Sequence, residues 1–313
     1  MDNYRNNIIM KKELNKEEYE VIKNLEIICL EEQKTNLKLE LDFKMRQKSN
    51  IVKNKVMTKF LYYENKILVG YLGLCNFGGT TVEISGMVHP KFRRKGIFGR
   101  LFSIAKEEWQ KTIYLEVLAL CDHRSISGLA FINTIKAEYD FAEYKMCLSK
   151  KKSDVTLSYV IKLRVATSED ASEIDRQTSI YFGAPQKDLV TGIENPTYQL
   201  EDNFISYMAE IKGKIIGKIH LSITNNEGFI YGLGVLPEFR GRGYGREILS
   251  SILDILNRKD VENIFLEVAT ENKNALSLYE SCGFEEISVM DYYEIVLKYT
   301  MFKQIIIYYL TRS

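Results

Sequence analysis

The residues best placed to do chemistry in this chain of 313 residues are Arg240-Gly241-Arg242-Gly243-Tyr244-Gly245. They follow an apolar run, Phe229–Leu236, which Pro237 ends because proline cannot continue a strand ladder. They open a stretch in which Ile248, Leu249, Ile252, Leu253 and Leu256 recur at helical spacing. Glycines let the backbone turn tightly and approach a ligand with no Cβ in the way. The first turn of a helix offers N–H groups without intrahelical partners, at the positive end of the helix dipole. That arrangement holds a pyrophosphate, and Arg240 and Arg242 add charge to it. Read alone, the loop is equally compatible with a glycine-rich turn and solvated arginines. A dinucleotide-fold reading is weaker, because the loop follows several hairpin strands and not the first strand.

The elements that must position this loop are legible around it. The segment YVIKLRVA (159–166) reads as a strand, with Thr167, Ser168 and Asp170 as caps for a helix over 169–180. Asn203–Ile211 and Lys214–Thr224 read as a hairpin turning at Lys212-Gly213, and Phe229–Leu236 as a third strand. A helix is predicted from Gly245 to about Asn257, a strand over Asn263–Ala269, a short helix over Asn274–Ser281 stopped by Gly283, and a last strand over Ile287–Lys298. The order predicts a mixed α/β (α+β) fold with a central, mainly antiparallel sheet flanked by helices and one parallel βαβ step.

The pattern occurs twice. ILVGYLGL (67–74) matches KIIGKIHL (214–221), and VHPKFRRKGIFGRL (88–101) matches VLPEFRGRGYGREI (235–248). One offset relates both pairs: Val235 minus Val88, Pro237 minus Pro90 and Gly243 minus Gly96 are each 147. A repeat of that length is a whole domain and not a solenoid unit. Two domains are therefore expected, 1–152 and 153–313, joined through the polar run Ser149–Asp154. In the first, Glu17–Cys29 shows a helical pattern.

Here the second half strongly resembles the GNAT acetyltransferase superfamily. Arg240-x-x-Gly243-x-Gly245 matches that family's (Gln/Arg)-x-x-Gly-x-(Gly/Ala) loop. Its second signature, Asn-x-x-Ala-x-x-Leu-Tyr followed by Gly-Phe, appears as Asn272-Lys273-Asn274-Ala275-Leu276-Ser277-Leu278-Tyr279 and then Gly283-Phe284. The resemblance implies two GNAT-like domains in tandem, the C-terminal one catalytic, with acetyl-CoA as co-substrate and no metal. It implies that the amides of residues 240–245 bind the CoA pyrophosphate and that Leu233, Gly234 and Val235 lie along the pantetheine arm. Arg246, Asn272 and Ala275 complete the expected cofactor-contacting set.

The chemistry so implied is direct attack of a primary amine, from a small molecule or a peptide, on the acetyl thioester. It requires a free amine, stabilisation of the oxyanion and an acid for the departing thiolate. Tyr279 matches the family's usual acid. Candidates for the base are Tyr231 and Glu227, with Glu267 and His220 behind them; a lone histidine in a strand is more often a packed residue. Cys282 reads as a small apolar filler. Tyr181–Leu200, with its aromatic residues and two prolines, is the candidate acceptor wall.

The first domain departs from the pattern. Phe98 stands where the second has Gly245, Ile132 where it has Tyr279, Ser125 for Asn272, Gly128 for Ala275 and Lys136 for Gly283. A domain that keeps the fold and contributes little acetyl chemistry is expected. Glu83, Ser85 and His89 near its third strand read as surface or packing residues. The layout resembles tandem GNAT enzymes, the mycothiol synthase type among them, in which the C-terminal half carries the transfer.

Composition adds exclusions. Lys plus Arg total 43 against 42 Asp plus Glu, which gives no reason to expect nucleic acid or an anionic membrane as partner. Five dispersed cysteines without a CxxC pair read as reduced thiols, hence a cytoplasmic protein. The polar start has no signal-peptide core, and the apolar run 305–310 is too short to span a membrane. The competing reading is a protein that binds acyl-CoA as a sensor or scaffold without turnover. Neither the acceptor nor the oligomeric state can be read from the sequence.

Overall fold

The computed structural model describes residues 7–46, 56–77, 80–112, 114–149, 160–182, 204–224 and 226–297. The polar run 150–154, the tail 305–310 and most of the candidate acceptor wall lie outside them. The chain divides into two compact units, Met1–Phe141 with Met290–Ser313, and Ala142–Val289.

In the first unit, β1 (Ile8–Lys11), β2 (Lys59–Glu64), β3 (Ile67–Cys75) and β4 (Thr81–Val88) pair antiparallel in that order, and β5 (Glu116–Asp122) pairs with β4 in parallel. α1 (Lys16–Gln33) and α2 (Leu41–Arg46) precede β2; α3 (Ile97–Trp109) links β4 to β5, and α4 (Ile126–Ile135) follows β5. The capping box of Asn15 and Glu18 starts α1, which the expected helix over 17–29 lies within.

The next strand, β6 (Glu138–Ser149), pairs antiparallel through Glu143–Ser149 with β11 (Asn263–Ala269) in the second unit. That unit continues with β10 (Glu227–Val235), parallel to β11, then β9 (Lys214–Thr224), β8 (Phe204–Ile211) and β7 (Lys162–Val165), each antiparallel to its neighbour. α5 (Ala171–Phe182) precedes β8, α6 (Tyr244–Arg258) links β10 to β11, and α7 (Lys273–Ser281) follows β11. The last strand, β12 (Glu285–Glu294), pairs through Met290–Glu294 with β5 of the first unit. Each half thus supplies the closing strand of the other half's sheet. The units consequently do not divide at 152/153: residues 142–149 belong to the second and residues 290–294 to the first.

The offset of 147 extends from sequence to backbone. The turn Asn65-Lys66 has φ of 48° and 66°, and Lys212-Gly213 has 50° and 80°. Arg94 and Gly241 take 63° and 73°, Gly96 and Gly243 take 75° and 83°, and Lys136 and Gly283 take 55° and 92°. All lie in the left-handed region, where glycine is unstrained and lysine or arginine is not. At Lys66, Arg94 and Lys136 the first unit therefore holds with a costlier residue a turn for which the second has glycine.

The cores form as the periodicity requires. On α6, Ile248, Leu249, Ile252 and Leu256 are fully buried, and they pack with Ile216, Ile219, Leu221, Leu266 and Phe284. Asp170 starts α5: its carboxylate accepts from Thr167 N at 2.7 Å and pairs with the Arg164 guanidinium at 2.7 Å. Arg164 first, and then Thr167, pull its pKa down to about 2.

Candidate functional site

The site is built on a wedge in the second unit. β10 and β11 run as parallel partners from Glu227↔Asn263 to Ile230↔Leu266. From there β10 continues to Val235 alongside β9, and β11 to Ala269 alongside β6. At the same point the β9–β10 register shifts between Tyr231 and Gly234, and Gly232 turns to φ 55°. A bulge of this kind takes backbone groups out of the ladder and re-aims them. Leu233, Gly234 and Val235 occupy this stretch, as an extended ligand lying along the strand edge would require.

The glycine loop closes one end of the wedge. Arg240 Nε donates to Val235 O at 2.9 Å, which ties the loop to the end of β10. In the first unit Arg93 Nε donates to Val88 O at 3.0 Å, the same contact one repeat earlier. Gly243 is the N-cap of α6 and supplies no side-chain cap, so the first amides of the helix depend on another acceptor. A Cβ built on Gly241 or Gly243 would meet nothing within 4 Å, so open space faces the loop. Arg242 and Arg246 are exposed beside it, while Tyr244 is half-buried against the core. Gly245 is packed: its Cβ would lie 3.4 Å from Leu278 and 3.9 Å from Val235. Uncapped amides, left-handed glycines, exposed arginines and open space fit a pyrophosphate.

α7 reaches the start of α6 through Leu278, which lies against Gly245. Asn272 is the N-cap of α7, and its Oδ1 accepts from Ala275 N at 3.2 Å. This oxygen therefore caps the helix. Ser125 does the same for Gly128 N in the first unit, also at 3.2 Å. Tyr279 is buried, and its ring packs edge-on to Phe284 with centroids 6.1 Å apart. Burial pushes its hydroxyl up to about 12, so it stays protonated through the neutral range. Burial likewise raises the Cys282 thiol, which packs against the same core.

The base candidates separate. Glu227 starts β10, six residues before Leu233, which puts it roughly 20 Å along the strand at ~3.3 Å per residue. The structure does not bring it to the wedge. Tyr231 lies at the bulge, 47% exposed, in a row of rings with Phe204 and Phe229, each 6.3 Å away. Glu267 is exposed on β11, opposite Lys145. His220 is buried against Gly232, whose Cβ would strike its Cδ2 at 2.7 Å. Its Nδ1 bonds Ser206 Oγ at 2.8 Å and its Nε2 bonds Lys218 Nζ at 3.1 Å. Burial and the neighbouring ammonium lower it to about 3, so it is a neutral imidazole at pH 7. Tyr181, from the candidate wall, lays its ring over Gly234; a Cβ there would come within 2.0 Å of it.

Sequence reasoning did not single out Lys218. The signal is an alternation: Lys218, His220 and Ser222 interleave with Gly217, Ile219 and Leu221 on β9. Such a pattern ordinarily means one wet face, but here all three polar residues are buried.

The first unit keeps the wedge. β4 and β5 pair from Thr81↔Glu116 only as far as Ile84↔Ala119. Beyond lies a cavity of about 270 Å³ lined by Gly86 to Val88, the start of α3, Cys121 and one face of α4. Phe98 borders it, edge-on to Phe131 at 4.7 Å. Ile132 lines it at the position corresponding to Tyr279. Among the described residues no group of His, Cys, Asp and Glu is arranged to hold a metal. None of their helices is long and apolar enough to cross a membrane.

Residues 173–284 match the model of the acetyltransferase (GNAT) family. Over 88 residues, 28% of this chain, the sequence is 27% identical to the [ribosomal protein bS18]-alanine N-acetyltransferase of Escherichia coli K12. The chain spans 60% of that relative's length. Two solved structures share the fold over nearly the whole chain. A GCN5-related N-acetyltransferase from Sphaerobacter thermophilus is 18% identical with a TM-score of 0.71, covering 94% of this chain and 98% of its own. A tandem GNAT protein from the clavulanic acid biosynthesis pathway is 16% identical with a TM-score of 0.69, covering 93% and 100%.

Proposed function

We propose that this chain, a member of the GNAT acetyltransferase family through residues 173–284, moves an acetyl group from acetyl-CoA to a primary amine in its second unit. The acceptor is the amine of a small molecule or a peptide. The observation that carries this reading is the uncapped start of α6, behind two left-handed glycines with open space before them. The loop amides with Arg240, Arg242 and Arg246 hold the pyrophosphate. The backbone of Leu233–Val235 and the face of Gly245 line the arm. The amine attacks the thioester directly. Tyr279, protonated and buried, donates to the leaving sulfur. Cys282 forms no acyl intermediate, because its raised thiol is a poor nucleophile at neutral pH.

The first unit supports a second, narrower reading. Its wedge and loop geometry persist while Ile132 removes the acid, which favours binding of an acyl-CoA without turnover. Thermal shift with acetyl-CoA followed by thiol release across an amine panel tests both. Turnover that survives Ile132→Tyr unchanged and falls steeply in Tyr279→Phe is expected. Binding with no thiol release from any amine would leave only the sensor reading.

A further inference from the structure

The α5-facing side of the second unit's sheet buries a polar chain that the reaction above leaves unused. Lys218 is 2% exposed. Its Nζ bonds Thr178 Oγ1 on α5 at 2.5 Å and His220 Nε2 at 3.1 Å, and His220 Nδ1 reaches Ser206 on β8. A buried ammonium is costly unless something compensates it, and these hydrogen-bond partners are neutral. Its place is specific. Lys218 is the cross-strand partner of Gly234, so its side chain leaves the sheet on the face where the Tyr181 ring covers that glycine. His220 lies against Gly232 in the bulge. One repeat earlier, in the unit that lacks the acid, the corresponding residues are Tyr71 and Gly73. There a lysine from α2, Lys44, fills the space instead, its Nζ 2.5 Å from a Cβ built on Gly73 and with no imidazole beside it among the described residues.

We propose that Lys218 is the base of the second unit, taking the proton of the acceptor ammonium at the bulge, with His220 and Thr178 holding its Nζ in place. The inference rests on the transferase reading. A neutral Lys218 amine accepts one proton from R–NH₃⁺, and the freed lone pair forms the C–N bond at the thioester carbon. The C–S bond breaks, and the sulfur takes the Tyr279 proton. The second proton lost by nitrogen restores Tyr279, and Lys218 returns its own to solvent, so one proton is released per amide formed.

Burial brings Lys218 down to about 8, and the Asp175 carboxylate opposes that shift. The other titratable and charged groups on this face are Glu173, ion-paired with Arg176, and Tyr181 on α5, Arg164 on β7 with its partners Asp170 and Glu210, Arg240 over the Tyr181 ring, His220 on β9, and Tyr231 on β10. β8 presents Ser206 and Met208 there, which do not titrate in this range. His220 is already neutral, and burial holds Tyr181 above the range.

The test is the pH profile of kcat/KM for thiol release with acetyl-CoA and a primary alkylamine, whose own ionisation lies near 10. In the wild type kcat/KM is expected to rise with pH through an ascending limb near pH 8. Asp175→Asn removes the carboxylate that holds Lys218 up, so the limb moves to lower pH with the acetyl-CoA thermal shift intact. Lys218→Met lowers kcat by about 10²-fold or more and abolishes that limb; Lys218→Arg does not restore it, because guanidinium stays protonated. A merely structural lysine would leave the limb where it was in Asp175→Asn, and that result overturns the proposal even if Lys218→Met fails to fold. Absence of thiol release from the wild type would instead overturn the transferase reading.

Discussion

Tyr279 is the residue on which the proposed chemistry turns. It needs a proton to give and a place beside the departing sulfur. Burial supplies the first by lifting its hydroxyl to about 12. Tyr279→Phe deletes one oxygen at a position packed against Phe284, so the fold and acetyl-CoA binding are expected to persist. The turnover number should fall by about 10²–10⁴. Steady-state kinetics beside calorimetric acetyl-CoA binding separates the two effects. Asp170 makes a pH statement at the same scale. Its folded constant, near 2, lies below the ~3.9 of an unfolded aspartate. The pair with Arg164 therefore stabilises the fold above about pH 4 and is lost as pH falls towards 2. In Asp170→Asn the acid side of the melting-temperature profile should flatten. Candidate residues divided between the legible and the hidden. Tyr279, Arg240 and Gly243 stood in motifs with fixed spacing. Lys218 did not, because a strand's alternation says which residues share a face but not whether a helix covers it.

The elements were the most legible level. Lys212-Gly213 turns the hairpin β8–β9, and α6 starts within a residue of its expected place, because apolar periodicity and glycine are local signals. The helix–strand–helix run from α6 to α7 was likewise visible, and Gly283 does end α7 with φ 92°. The bulge at Tyr231–Gly234 was not visible, since it arises from register against β9 and β11 rather than from one strand's own pattern. The first unit offers a clean element-scale test. Lys136 closes α4 at φ 55°, where the repeat has Gly283. Lys136→Gly removes left-handed strain of about 1 kcal/mol and is expected to raise the denaturation midpoint. A lower midpoint would mean that the lysine side chain contributes more than its backbone costs.

At the scale of the molecule, duplication was readable and the exchange was not. A constant offset reports two copies of one domain, but which sheet a closing strand joins is a non-local pairing with no signature in the strand itself. β6 and β12 each complete the sheet of the other half. Chains cut at 152/153 and produced separately should therefore each lack an edge partner, for β5 or for β11. They are expected to be poorly folded alone and to recover cooperative melting when co-expressed. Independent folding of residues 153–313 with full stability would contradict the exchange. The same arrangement explains why a boundary set by a polar run misses the compact units: the strands on either side of that run belong with partners far along the chain.

The central claim is that the backbone at 240–245 grips the coenzyme's phosphates in the second unit, and calorimetric titration of acetyl-CoA into the wild type and Gly243→Val tests it most directly. Valine there forces a β-branched residue to φ 83° and fills the open space before the uncapped helix. The expected result is loss of one binding event, or an affinity at least tenfold weaker, together with loss of thiol release. An unchanged isotherm in a folded Gly243→Val protein would contradict the claim.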